Sequence, residues 1–349
     1  MDDRGNVLVI KLGALGDIVF ADGALRDIRA RHPDANITLL TRRGFAALME
    51  RCPWVDTVIA DDNAPRWRLD RMLALRERLA TGSFAHVYDL QNSRRTRFYR
   101  RWLSPPGARW SQEPPDTPKA GAVTSRHATQ LKEAGVPVRH CEHPSPGWIA
   151  DDVAPLRREA GVRAPFVVLL PGSSARNPHK RWPHYARCSQ LLDQQGLSVV
   201  TVPGIDEPDL GEGFAGTVLR TPHRVLNLHE LAGVLKAACL VIGNDSGPTH
   251  LAACLGTRCV VLFDSRNPAR VSTGVEALAL LGLVFVGDLE QVEFGIVVAF
   301  GEAGDAHHHP LEQGGRAGHQ VDVAVGDGVE GAGIQRDTVP GQAHAVGWT

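Results

Sequence analysis

Short apolar runs alternate along the chain with segments in which apolar residues recur every three or four positions. This alternation is typical of βαβ units, in which helices connect the parallel strands of a sheet. In the first half the predicted strands are 6–12, 37–40, 55–60 and 84–90, and the predicted helices are 17–31, 44–51 and 67–80. The pattern predicts one doubly wound α/β domain.

The alternation restarts after a proline-rich, weakly periodic stretch from Ser104 to Pro146. Here the predicted strands are 165–172, 197–204, 239–245 and 259–263, and the predicted helices are 183–194, 229–238 and 248–255. Because 349 residues exceed one ordinary core, we expect two domains, 1–155 and 156–275, with a cleft between them.

The periodic pattern fails beyond about Val271, and residues 276–349 are expected to form an atypical low-complexity tail. A parallel sheet of this kind normally needs one more βα unit, so the second domain is expected to be incomplete. The tail is either a disordered segment or foreign to the fold, for example through a shifted reading frame. The run from His307 to His309 either binds a metal or is solvated, and we favour the solvated run.

Composition narrows the class of protein. A net charge of -1 gives no global attraction to nucleic acid, and no uncharged run approaches the ~18 residues that span a bilayer. Any membrane contact is therefore expected to be peripheral. The six cysteines include no CxxC pair and are expected to be reduced core thiols of a cytoplasmic protein.

Candidate chemistry lies where predicted strands end, because ligands of open α/β sheets bind beyond the carboxyl ends of the strands. Asp17 follows the first strand in KLGALGD, where Gly13 and Gly16 make the turn. It is either the N-cap of the next helix or a general base that faces the cleft.

The segment GNDSGPTH, residues 243–250, is the most specific motif. Ser246, Gly247 and the backbone N–H groups beside them can hold a diphosphate. Asp245 and His250 can hydrogen-bond to hydroxyl or phosphate groups. A purely structural role is the alternative for His250.

The loop PGSSARNPHKRWP, residues 171–183, offers the hydroxyls of Ser173 and Ser174 and the cation Lys180. Lys180 can neutralise charge that grows on a phosphate leaving group. The alternative is that Lys180 and Arg181 form an exposed charge pair.

Two further segments carry charged candidates. Asp206 or Glu207, in VPGIDEP, can accept both hydroxyls of a ribose or can lie in a plain surface turn. Residues 94–102, RRTRFYRRW, place five arginines among aromatic residues. They can hold an anionic acceptor, lie against anionic lipid head groups or form a solvated helix face. No motif supports nucleic-acid binding.

In their order along residues 5–270, the motifs KLGALGD, DLQNSRR, PGSS…KRWP and GNDSGPTHLAA resemble those of one family. The chain is similar to the ADP-heptose:lipopolysaccharide heptosyltransferases of glycosyltransferase family 9. The resemblance implies an α/β protein of two facing Rossmann-like domains in the GT-B arrangement, with the acceptor on the N-terminal domain and the sugar nucleotide on the C-terminal one. The tail departs from the family pattern.

The resemblance also implies roles for individual residues. Asp17 matches the acid near the acceptor hydroxyl, Lys180 the lysine at the sugar-nucleotide phosphates, and Glu207 the ribose-binding acid. The other matches belong to the phosphate loop and to the motif around diphosphate and heptose; they are Ser173, Ser174, Asp245, Ser246, Gly247 and His250.

The implied activity is inverting transfer of heptose from ADP-heptose to a lipopolysaccharide core acceptor, an anionic lipid-linked saccharide. The location would be cytoplasmic, with possible contact at the cytoplasmic face of the inner membrane. Because a helix N-terminus and a lysine can neutralise the departing ADP, no metal and no cofactor is expected. The alternatives are another GT-B sugar-nucleotide enzyme and a non-catalytic homologue disabled by its tail.

Overall fold

A computed structural model describes residues 5–104, 107–117 and 122–264, and the backbone of a strand at 294–299. The first domain is a five-stranded parallel sheet of order β3-β2-β1-β4-β5. Its strands are β1 Asn6–Ile10, β2 Ile37–Arg42, β3 Thr57–Asp61, β4 Phe84–Asp89 and β5 Arg109–Ser111. Its helices are α1 Leu15–Phe20, α2 Asp22–Arg31, α3 Arg43–Met49, α4 Leu69–Thr81, α5 Arg94–Trp102 and α6 Val123–Glu133.

The second domain is a six-stranded sheet of order β11-β10-β9-β6-β7-β8. Its strands are β6 Phe166–Leu170, β7 Ser198–Thr201, β8 Thr217–Val218, β9 Leu240–Asn244, β10 Cys259–Asp264 and β11 Phe294–Ala299. Its helices are α7 Ala154–Glu159, α8 Tyr185–Gln194, α9 Leu228–Ala237 and α10 Gly247–Cys254, and short 3-10 turns lie at Gly147–Ile149 and Pro178–Lys180.

The central strands β1 (NVLVI) and β6 (FVVLL) are almost entirely apolar and buried. Helices cover both faces of a parallel sheet, so its inner strands lack the polar alternation of a half-exposed sheet. One continuous apolar cluster includes Val9 of β1 and Val168 of β6. The cores of the two domains therefore meet.

All eight strands predicted from the sequence form, whereas the two-residue strand β8 was not predicted and two further local predictions were wrong. The helix expected at 17–31 is two helices that meet at Ala21. The two helices contact different parts of the protein. Phe20 of α1 packs on His250 of the second domain, whereas Asp27 of α2 accepts hydrogen bonds from the backbone at residues 139–141.

The weakly periodic stretch 104–146 contains β5 and the three-turn helix α6, which the apolar pattern did not predict. The buried face of α6 carries three polar residues, Thr124, His127 and Gln130. Hydrophobic periodicity detects only apolar buried faces, so a helix whose buried face hydrogen-bonds is missed.

β11 lies within the segment 276–349 that was expected to be a tail, and it pairs antiparallel with β10. The second sheet is therefore mixed rather than wholly parallel. The expectations for residues 301–349, including His307 to His309, lie outside the described residues. Among the helices that the structure describes, none is long and apolar enough to cross a membrane.

Candidate functional site

The first turns of α1 and α10, which follow β1 and β9 in different domains, lie directly against each other. A Cβ atom on Gly247 would lie 2.7 Å from Cβ of Leu15, and one on Gly16 would lie 3.1 Å from Cδ2 of His250. Only glycine allows this approach of the two helices. The contact brings Asp17 of the first domain to the same edge of the cleft as the GNDSGPTH motif of the second.

Asp17 occupies the third position of α1, and Ala14 is the N-cap, so the alternative that Asp17 is itself the N-cap was wrong. Its Oδ2 accepts a hydrogen bond from the backbone N–H of Ala14 at 3.1 Å. The side chain is 37% exposed, and Oδ1 lies 3.9 Å from Nζ of Lys11. One oxygen thus anchors the turn while the carboxylate remains accessible to the cleft.

Lys11 and His127 form a buried pair behind Asp17 that sequence reasoning missed. Nζ of Lys11 donates to the carbonyl of Leu90 at 3.0 Å and lies 3.3 Å from Nε2 of His127. Burial lowers the pKa of Lys11, and the charge of Asp17 opposes part of that shift. Burial and the charge of Lys11 hold the pKa of His127 well below its ordinary value. A lysine at the end of a buried strand was the available signal.

Asp245 connects the two charged candidates of the second domain. Nζ of Lys180 donates to Oδ2 of Asp245 at 2.6 Å and to the Asp245 carbonyl at 3.2 Å. Nε2 of His250 lies 3.0 Å from Oδ1 of the same carboxylate. Lys180 is therefore not half of an exposed charge pair with Arg181. Its ammonium is held at the N-terminal end of α10.

Glu207 and the loop after β6 form one unit. Oε2 of Glu207 accepts from the backbone N–H of Ser173 at 3.1 Å, and Oε1 pairs with Arg181. The segment forms a surface turn in which the Glu207 side chain is bound, whereas its neighbour Asp206 is exposed. Glu207 thereby links two loops at the carboxyl edge of the sheet.

The two serines of this loop hydrogen-bond within it. Oγ of Ser173 donates to the carbonyl of Asn177 at 2.8 Å, and Oγ of Ser174 accepts from Nδ2 of Asn177 at 3.1 Å. They shape the loop around Asn177.

Asn244 holds the loop 171–182 to the end of β9 and was absent from the predicted site. Its Nδ2 donates to the carbonyl of Pro171 at 2.9 Å. Its Oδ1 accepts from the N–H of Trp182 at 3.2 Å and from the hydroxyl of Tyr185 at 3.1 Å. A fully buried asparagine with its amide satisfied fixes the position of Lys180 relative to α10.

Ser246 and Gly247 begin α10, with Ser246 as its N-cap. The Ser246 hydroxyl lies 3.3 Å from that of Thr249 and makes no capping hydrogen bond to the helix backbone. The first turn of α10 therefore presents N–H groups, and the positive end of the helix dipole, to the cleft. Among the described residues, no group of three or more His, Cys, Asp or Glu side chains is placed to hold a metal ion.

Three comparisons relate this geometry to known proteins. The model of glycosyltransferase family 9 (heptosyltransferase) matches residues 142–280. Lipooligosaccharide heptosyltransferase 2 of Haemophilus influenzae is 22% identical over 326 residues, which cover 83% of this chain and 92% of that protein.

Solved structures show the same fold. A family 9 glycosyl transferase of Veillonella parvula has a TM-score of 0.61 at 21% identity and covers 75% of this chain and 82% of that one. Heptosyltransferase WaaC of Escherichia coli, solved with ADP, has a TM-score of 0.53 at 20% identity and covers 73% and 86%. The expected GT-B arrangement of two Rossmann-like domains is confirmed.

The family match includes the GNDSGPTH motif of the second domain, and the curated relative covers 83% of this chain, so the similarity extends into the first domain. The chain is therefore a glycosyltransferase that is similar to the heptosyltransferases of family 9.

Proposed function

We propose that the enzyme transfers heptose from ADP-heptose to a lipopolysaccharide core acceptor with inversion at the anomeric carbon. The contact between α1 and α10 carries the proposal, because it sets the carboxylate of Asp17 across the cleft edge from Lys180, Asp245 and His250. An acid on one side and a cation with helix N–H groups on the other are what displacement of a nucleoside diphosphate requires.

On the donor side, Lys180 neutralises the charge that develops on the departing ADP. Asp245 holds the ammonium in place, so the cation does not reorganise as the bond to the leaving group breaks. Ser246 and Gly247 supply the first turn of α10 to the phosphates, and His250 hydrogen-bonds the heptose. Lysine and helix N–H groups suffice for this stabilisation.

The remaining donor residues shape the nucleotide side of the cleft. Ser173 and Ser174 form the loop that borders the phosphates, and Glu207 accepts the hydroxyls of the ribose. Arg181 keeps Glu207 at the loop through their ion pair.

On the acceptor side, Asp17 takes the proton of the attacking hydroxyl as its oxygen bonds to the anomeric carbon. The bond between that carbon and the ADP oxygen breaks on the opposite face, and the electron pair leaves with ADP. Attack in line with the leaving group inverts the centre. Lys11 lies behind Asp17 and holds the carboxylate toward the cleft.

The acceptor in this proposal is an anionic lipid-linked saccharide, and the site of action is the cytoplasmic face of the inner membrane. The six cysteines are free, which fits a reducing compartment. Selective calorimetric binding of ADP-heptose over UDP-glucose supports the assigned donor, and binding of UDP-glucose alone would contradict it.

The variant Asp17→Asn tests the assignment of the base. Asparagine keeps an oxygen for the N–H of Ala14, so the turn and the affinity for ADP are retained. The loss of the base lowers kcat by about 10²–10⁴-fold. The exposed Asp34→Asn is the matched control and keeps full turnover. Turnover by Asp17→Asn within a few-fold of the wild type would refute the role of Asp17.

A further inference from the structure

Four large apolar side chains are exposed on or beside α4 and α5 of the first domain, and the proposed reaction does not use them. They are Trp67, Leu69, Leu73 and Trp102, with exposed fractions of 75%, 68%, 62% and 59%. Isolated exposed apolar residues are ordinary on soluble proteins, but a group of this size marks a surface that contacts something apolar.

Direct contacts join the turn before α4 to α5. The guanidinium of Arg66 stacks 5.3 Å over the ring of Phe98, and its Nη2 donates to the carbonyl of Arg94. The Phe98 ring lies 6.4 Å from that of Trp102. The segment that carries Trp67 therefore packs beside the helix that carries Trp102.

The helices α4 and α5 also pack on the same face of the sheet. Leu79 of α4 and Tyr99 of α5 share one buried cluster. Leu69 and Leu73, one turn apart on α4, point away from that cluster into solvent. Both helices thus present their outer sides in the same direction.

The same surface is strongly basic. Residues 66–102 contain ten arginines and three acidic residues, although the whole chain has a net charge of -1. Arg95 is internal, because it pairs with Asp61 at 3.1 Å. Arg94, Arg97 and Arg101 are exposed and form no ion pair with any residue that the structure describes. Their charges are available to a partner.

This surface adjoins the acceptor side of the cleft. The helix α5 begins after β4, and Asp17 follows β1, its hydrogen-bonded neighbour in a parallel sheet. Both segments therefore leave the sheet at the same carboxyl edge. The end of this surface that carries Trp67, Leu69 and Arg94 therefore lies at the same edge of the sheet as Asp17.

We propose that the face made by Trp67, Leu69, Leu73 and Trp102 with Arg94, Arg97 and Arg101 docks onto a lipid bilayer that carries anionic head groups. Arginines bind lipid phosphates, and tryptophan rings settle at the boundary between head groups and acyl chains. Two copies of this face would repel each other by their like charges. A dissolved anionic saccharide would use the arginines but would leave the apolar side chains in water.

Docking would deliver a lipid-linked acceptor to the cleft, and only this consequence rests on the proposed function. Sedimentation of the full-length protein with vesicles tests it. We expect binding to phosphatidylcholine mixed with phosphatidylglycerol, weak binding to pure phosphatidylcholine, and a marked loss at high salt.

Charge reversal distinguishes this face from general electrostatic attraction. The double variant R97E/R101E is expected to weaken vesicle binding by about tenfold or more. The double variant R158E/R187E makes the same charge change at exposed positions of the second domain and is expected to leave most of the binding intact. Equal losses from the two pairs would overturn the proposal.

Removal of the aromatic side chains tests the apolar contribution. Trp67→Ser combined with Trp102→Ser should reduce vesicle binding severalfold, whereas Ile205→Ser, at an exposed position of the second domain, should not. The proposal fails if the tryptophan variant binds vesicles like the wild type. It also fails if the substitutions convert a dimer into a monomer, because the apolar side chains would then serve a protein interface. Titration of the wild type with ADP tests the proposed function separately from membrane docking. If the wild type did not bind ADP, the proposed function would be refuted while the vesicle result would stand.

Discussion

The close approach of α1 and α10 predicts a specific effect of Gly247→Ala. The new Cβ would lie 2.7 Å from Cβ of Leu15. Carbon atoms prefer about 3.5–4.0 Å, so the helices must separate by about 1 Å. Rotamer changes cannot relieve the contact, because the Leu15 Cβ is fixed to its backbone.

The expected magnitudes separate catalysis from stability. Overpacking of this kind costs about 1–3 kcal/mol of unfolding free energy, and the better helix propensity of alanine offsets up to about 1 kcal/mol. The reaction is more sensitive, because a misplacement of about 1 Å between reacting groups can lower the rate by about 10²-fold. Gly247→Ala should therefore stay folded while kcat falls by one to two orders of magnitude.

The assay is release of ADP from ADP-heptose with a lipopolysaccharide core acceptor, beside thermal unfolding of the same samples. Gly44→Ala is the control, because no atom lies within 4 Å of its new Cβ. Gly16→Ala should give a milder loss, since its Cβ meets the His250 ring at 3.1 Å. Wild-type kcat and KM for Gly247→Ala would refute the reasoning that catalysis uses this helix contact.

Three further predictions concern buried groups. Burial lowers the pKa of Lys11 from 10.5, so just below pH 10.5 the unfolded chain binds more protons than the folded protein. The free energy of unfolding of the wild type, relative to that of Lys11→Met, should therefore rise with pH up to about 10.5. A difference between the two that does not change with pH would contradict this. Asp27→Ala removes the acceptor of three backbone N–H groups at residues 139–141 and should cost about 3 kcal/mol in urea denaturation, whereas the exposed Asp34→Ala should cost almost nothing. Burial raises the pKa of Cys52 and Cys141 to about 12, so a thiol reagent at pH 8 should modify them only after unfolding, and rapid labelling of the native protein would show that these sites open.

Local sequence was sufficient for the alternation of strands and helices and for the motifs at strand ends. The strands NVLVI and FVVLL could be predicted from their apolar residues alone, because a strand of a parallel sheet that is buried on both faces is a nearly continuous apolar run. KLGALGD and GNDSGPTH were placed at strand ends by the same pattern. The apolar pattern did not predict α6, because the buried face of this helix carries polar residues.

The partners of the site residues depended on tertiary structure. Lys11 meets His127 across 116 positions, and Lys180 meets Asp245 across 65. A buried charge is tolerated only where a second polar group lies opposite it, and that group can come from any part of the chain. The sequence by itself therefore determined the elements and the chemical candidates. Packing of the two domains decided which of those candidates share a cleft edge, because two glycines allow α1 and α10 to touch.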